Sequence, residues 1–78
     1  NNYTNQLRNY LCRMMNIRNA TYTVEPQENN MWRGHIEIKQ QKKIIFQYTS
    51  HAKTTVRDSK QECAFQALNH FNVLNDLS

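Results

Sequence analysis

From Tyr3 to Met15 the apolar side chains fall at Leu7, Tyr10, Leu11, Met14 and Met15, steps of three and four that predict an amphipathic helix. The opposite face carries Asn5, Arg8, Asn9 and Cys12 at the same spacing, so a polar and mostly uncharged strip projects from it. After Asn16 the period shortens. Thr21, Tyr22, Thr23 and Val24 are β-branched or aromatic and read as a short strand, broken by Pro26 with Asn29 and Asn30. Trp32, Gly34, Ile36 and Ile38 then alternate with Arg33, His35, Glu37 and Lys39, the period of a half-buried antiparallel strand. Gln40 to Lys42 reads as a turn and Lys43 to Thr49 as a third strand. Strict alternation puts Ile44, Phe46 and Tyr48 on its inner face and Ile45, Gln47 and Thr49 on its outer face.

Ser50 to Thr54 is a polar loop, and Thr55-Val56-Arg57-Asp58 has the form of a capping box, with a hydroxyl to accept from backbone N–H groups and an acid three residues on. A second helix follows, with a buried stripe expected at Ala64, Ala67, Leu68, Phe71 and Leu74 and with Cys63 beside it. The order helix, three strands, helix predicts an α+β fold, an α-β-β-β-α two-layer sandwich with both helices on one face of a three-stranded antiparallel sheet. Residues 1–78 read as a single domain with no repeat and no internal linker.

At 78 residues the chain buries only about 60% of its unfolded surface, which leaves little room for a deep enclosed active site. No unbroken apolar run exceeds three residues, against the roughly 20 of a membrane span, so a soluble chain without a secretory leader is expected. Ten Lys and Arg against six Asp and Glu give a net charge of +4, which favours a polyanionic partner where the cations converge. Cys12 and Cys63 lack metal-ligand spacing with His35, His51 or His70, so no metal or cofactor is expected and the thiols fit a reducing, intracellular compartment, nucleus or cytoplasm. The six acids show no paired-carboxylate spacing and no Ser lies in a nucleophile elbow, so no catalytic residues are expected.

Three segments carry a resemblance to a known family. Tyr3-Thr4-Asn5-Gln6-Leu7-Arg8-Asn9-Tyr10, Ala20-Thr21-Tyr22, and Thr55-Val56-Arg57-Asp58-Ser59-Lys60 followed by Cys63-Ala64-Phe65-Gln66-Ala67-Leu68 resemble the first helix, the first strand and the second-helix signature of the double-stranded RNA-binding domain. The first helix is most similar to plant-type Dicer-like and Dicer-partner members. The resemblance spans Tyr3 to Phe71 and implies a module that reads duplex RNA by shape over about 16 bp, through minor-groove 2′-hydroxyls and the phosphates between.

It implies three contact surfaces. On the first helix, Asn5, Arg8 and Asn9 would meet 2′-hydroxyls, which neutral amides suit because they both donate and accept; the family's Glu is absent there. Between the first two strands the family's G-P-x-H is replaced by Glu25-Pro26-Gln27-Glu28-Asn29-Asn30, leaving Gln27 or Asn29 as a weaker substitute for the His. At the start of the second helix Arg57 and Lys60 match two basic positions that grip phosphate, Val56 replaces the third, and Lys53 upstream restores part of its charge. His51 is a further phosphate candidate. Lys39, Lys42 and Lys43 form another basic cluster at the second hairpin, equally suited to guarding a sheet edge against aggregation.

The implied role is a module of an RNA-processing or RNA-silencing protein, partnered by duplex RNA and by another double-stranded RNA-binding protein or a Dicer-type ribonuclease. The alternative is a degenerate domain of the same fold that works in homo- or heterodimerisation or partner docking, with Ile45 on the outer sheet face as its contact.

Overall fold

A computed structural model describes residues 2–74; residues 1 and 75–78, which the sequence assigns to the same domain, lie outside the described residues. The chain forms α1 (Tyr3–Met15), β1 (Thr21–Pro26), a single 3-10 turn at Glu28–Asn30, β2 (Trp32–Gln40), β3 (Lys43–Thr49) and α2 (Val56–His70). The strands make one antiparallel sheet in the order β1-β2-β3. The helices pack on each other, and α2 lies across all three strands. This is the α-β-β-β-α fold expected from the pattern of the sequence.

Side chains close the helix ends. Asn2 caps α1 by accepting from the Asn5 N–H (3.2 Å). Left-handed Asn16 ends it, with the Ile17 N–H returning to the Leu11 carbonyl (2.9 Å), so carbonyls that the helix cannot pair internally still find donors. Thr55 caps α2 through the Asp58 N–H (3.0 Å), the first half of the capping box.

The core joins Leu7 and Leu11 of α1, Ile36 and Ile38 of β2, and Cys63, Ala64, Ala67 and Leu68 of α2, with Ile17 and Ala20 at its margin. Ala64 and Ala67 let α2 approach the sheet, and Gly34 lets it approach further: a Cβ there would stand 3.0 Å from the Ser59 Oγ and 3.2 Å from the Ser59 carbonyl carbon. Phe71 and Leu74 of the expected stripe are half-buried against this core. Met14 does not join it; it lies at the last turn of α1 and is 71% exposed.

The main departure from expectation is in β3. Ile38 pairs with Phe46 but the next residue, Lys39, pairs with Ile44, so Ile45 is an extra residue in a bulge. The bulge reverses the alternation. Ile45 turns inward and packs half-buried against the core, whereas Ile44 is 48% exposed. Ile45 is therefore not on the outer sheet face, and its assignment as an exposed docking contact is corrected. The turn that follows β2 adds to the irregularity: Gln41 and Lys42 both have positive φ (52° and 69°), the two-residue hairpin geometry that Asn and Gly usually supply.

Candidate nucleic-acid interface

Asn5, Arg8 and Asn9 are all exposed on α1, on the face opposite Leu7 and Leu11. Arg8 Nη2 donates to Asn5 Oδ1 (3.2 Å), which holds the guanidinium along the strip. The start of α1 is joined directly to α2: the Tyr3 N–H donates to Gln61 Oε1 (2.7 Å), Gln61 Nε2 donates to Asn2 Oδ1 (3.3 Å), and the Tyr3 and Phe65 rings meet edge to face at 5.1 Å. The α1 strip and the first turns of α2 thus form one rigid unit.

On α2, Arg57 is exposed and Val56 half-buried. Lys60 is half-buried, with Nζ 6.0 Å from the centroid of the Tyr22 ring. The ammonium is thus drawn over an aromatic ring of β1 at the outer limit of cation–π range instead of standing free in solvent. Burial raises Tyr22 to about 12, helped by the neighbouring Cys63, so the phenol stays protonated. Cys63 is itself buried and raised to about 11 by that burial and by the charge of Glu62, while Cys12 is exposed, so the two thiols occupy opposite environments.

Lys53 reaches the site by a route that sequence does not disclose. Its N–H and carbonyl pair with those of Trp32 (2.7 and 2.6 Å), which extends the sheet by one bridge, and its ammonium lies 3.1 Å from Glu62 Oε1. Glu62 also accepts from the Tyr48 hydroxyl (2.7 Å) and the His51 backbone N–H (3.0 Å), and its Oε2 lies 3.0 Å from His51 Nδ1. Burial works to raise this carboxyl, but the hydrogen bonds from Tyr48, His51 and Lys53 outweigh it and hold the group down at about 2. The bond to Glu62 and burial push Tyr48 up to about 12. Lys53, expected to restore charge near Val56, is therefore partly neutralised by a carboxylate. His51 is 85% exposed and leans on the same carboxylate.

The loop between β1 and β2 is compact. The Gln27 N–H donates to the Met31 carbonyl (2.7 Å), and Asn29 and Asn30 take left-handed backbone angles that Asn tolerates better than most residues. Asn29 is exposed and Gln27 half-buried, so of the two substitutes for the family's His, Asn29 is the one presented to solvent. Glu25 and Glu28 are exposed beside it.

Sequence reasoning does not single out Glu62, Gln61 or Ser50. Ser50 is buried and fixes the loop by accepting from the Gly34 N–H (2.8 Å) and donating to the His51 carbonyl (2.8 Å). The one signal in the sequence is Gly34, a lone glycine at an inward strand position, which marks a close approach. Among the described residues no three His, Cys, Asp or Glu side chains are grouped to hold a metal ion, and no helix is long and apolar enough to cross a membrane. No family model, curated protein or solved structure matches the chain.

Proposed function

We propose that the domain binds double-stranded RNA by shape, through 2′-hydroxyl contacts from α1 and phosphate contacts at the start of α2, as a module of an RNA-processing or RNA-silencing protein. The observation that carries this reading is the Gln61 clamp, which holds the exposed Asn5, Arg8 and Asn9 strip and the Arg57-bearing turn on adjoining rigid elements. A-form RNA presents sugar hydroxyls and phosphates at fixed spacing, so a shape reader needs its contact groups fixed relative to one another. The capped N-terminus of α2 adds backbone N–H groups and the positive end of the helix dipole beside Arg57. Its expected partners are duplex RNA and a second double-stranded RNA-binding protein or Dicer-type ribonuclease that the module serves as an accessory.

Titration of a duplex RNA of about 16 bp, the same duplex in DNA, and a single strand tests the reading. The RNA duplex binds preferentially; equal affinity for the DNA duplex overturns groove reading. Arg57→Ala with Lys60→Ala weakens RNA binding about tenfold or more, because each well-formed polar interaction with the duplex is worth about 1–3 kcal/mol, and the circular dichroism spectrum stays unchanged.

One observation favours a second reading, in which the domain docks a protein partner. Ile44, not Ile45, is a large apolar side chain left exposed on an edge strand. A dimer or partner complex that disappears on Ile44→Lys, with RNA affinity unmoved, supports that reading.

A further inference from the structure

We infer that the hairpin end of the sheet is a second phosphate-binding surface for a nucleic-acid strand, separate from the surface of α1 and α2. The charges of the molecule are segregated along the strands. At the end that holds the start of α2, Arg33, Lys53, Arg57 and Lys60 are accompanied by Glu25, Glu28, Asp58 and Glu62, so the signs cancel by count. At the other end stand Arg13 in the last turn of α1, Arg18 before β1, Lys39 closing β2, Lys42 in the turn and Lys43 opening β3. Among the described residues the acid there is Glu37 alone, 3.4 Å from Lys39. Among the described residues the net positive charge is therefore concentrated at the end that the proposed duplex surface does not use.

The fold builds this end from three separate segments. Gln40 Nε2 donates to the Met15 carbonyl (3.3 Å), tying the hairpin to the end of α1, and left-handed Asn16 ends that helix just before Arg18, which lines the same hollow as Lys39, Gln40 and Gln41. In this hollow, of about 390 Å³, Arg18, Lys39, Asn16, Gln40 and Gln41 stand around an apolar part formed by Met15 and Ile17. Two cations and three amides around one hollow suit a sugar–phosphate chain, with ammonium and guanidinium groups for the phosphates and amides that donate and accept for the hydroxyls. The positive-φ turn leaves Gln41 and Lys42 exposed at the tip, Gln41 at the edge of the hollow and Lys42 outside its lining. A lipid surface fits less well: exposed Ile44 lies on the sheet layer and exposed Met14 on the helix layer, so the two do not share one apolar face. From Trp32 to Gln40 β2 rises about 26 Å at about 3.3 Å per residue, which separates the two cationic ends.

The test measures binding of a labelled duplex RNA of about 16 bp by fluorescence anisotropy from about 50 to about 200 mM salt. Four proteins are compared: wild type, Arg57→Ala/Lys60→Ala, Arg18→Glu/Lys42→Glu/Lys43→Glu, and the combination. All three reversed side chains are exposed, and circular dichroism checks the fold; Arg18→Gln/Lys42→Gln/Lys43→Gln replaces the reversals if they disturb it. In the Arg57→Ala/Lys60→Ala background, salt-dependent binding persists. The reversals lower that binding at least about tenfold and reduce the log–log salt slope by about two, since each phosphate contact carries slightly less than one unit. Unchanged affinity and slope on reversal overturn the inference, as does the absence of any salt-dependent binding in the Arg57→Ala/Lys60→Ala protein. Reversals that abolish binding to phosphatidylserine vesicles but spare RNA binding also overturn it. If Arg57→Ala/Lys60→Ala leaves affinity at the wild-type level while the reversals remove it, the α2 surface fails and the hairpin surface stands.

Discussion

Replacing Glu62 by Gln removes one charge from the junction of β3, the loop after it and α2, and the structure sets the size of the effect. A carboxyl held at about 2 instead of 4.5 favours the folded state by about 3 kcal/mol when ionised. The side chain is only 13% exposed, but its partner His51 is 85% exposed, so solvent screening brings the expected loss to about 2 kcal/mol. With its amide oxygen in the place of Oε2, Gln can still accept from Tyr48 and the His51 N–H, but its NH2 then takes the place of Oε1 and faces the Lys53 ammonium, donor against donor. Because folding lowers the pKa of Glu62, its contribution is complete above about pH 4.5 and is lost as pH falls towards 2. Denaturant unfolding of wild type and Glu62→Gln between those limits isolates the group, since the other carboxyls are common to both proteins. The variant should be about 2 kcal/mol less stable at pH 7, a fall of roughly 8–16 °C in Tm for a domain of this size, and the gap should close in acid. A gap that stays constant down to pH 2, or one below about 0.5 kcal/mol at pH 7, refutes the claim that an ionised Glu62 organises the junction.

Gly34→Ala should destabilise by about 1–3 kcal/mol, because the new methyl group meets both the side chain and the backbone of buried Ser59 and α2 must move off the sheet; urea midpoints measure it, and a neutral result contradicts the packing. The bulge predicts that Ile45→Lys destabilises by about 2 kcal/mol or more while Ile44→Lys stays within about 0.5 kcal/mol of wild type, and the reverse order in thermal melts would restore plain alternation in β3.

The order of elements is legible in the sequence because each is written in local terms. A step of three and four along Leu7, Tyr10 and Leu11, a step of two along Gly34, Ile36 and Ile38, and a hydroxyl three residues before Asp58 each constrain only their own turn or strand. The strand Lys43–Thr49 and the cap at Thr55 follow from the sequence for the same reason. Of the candidate site, the exposed positions Asn5, Arg8, Asn9, Asn29 and Arg57 are legible because exposure on a helix face or loop follows from the same periodicity.

Tertiary structure alone decided the remainder, because each remaining feature depends on residues far apart in the chain. The bulge at Ile45 arises from the register that β3 adopts against β2, and one extra residue inverts which side chain faces the core; no pattern within β3 distinguishes the two outcomes. Glu62 is an ordinary acid in sequence until folding brings Tyr48, His51 and Lys53 to its carboxylate, and Lys60 is an ordinary helix cation until Tyr22 of the edge strand comes beneath it. The cations from Arg13 to Lys43 are scattered over three segments and converge only when α1 and the sheet pack on a common core, which brings the hairpin within reach of the end of α1 at the Gln40–Met15 hydrogen bond. Hydrophobic periodicity is a property of neighbours along the chain, whereas charge pairing and strand register are properties of neighbours in space, and only the folded molecule brings those together.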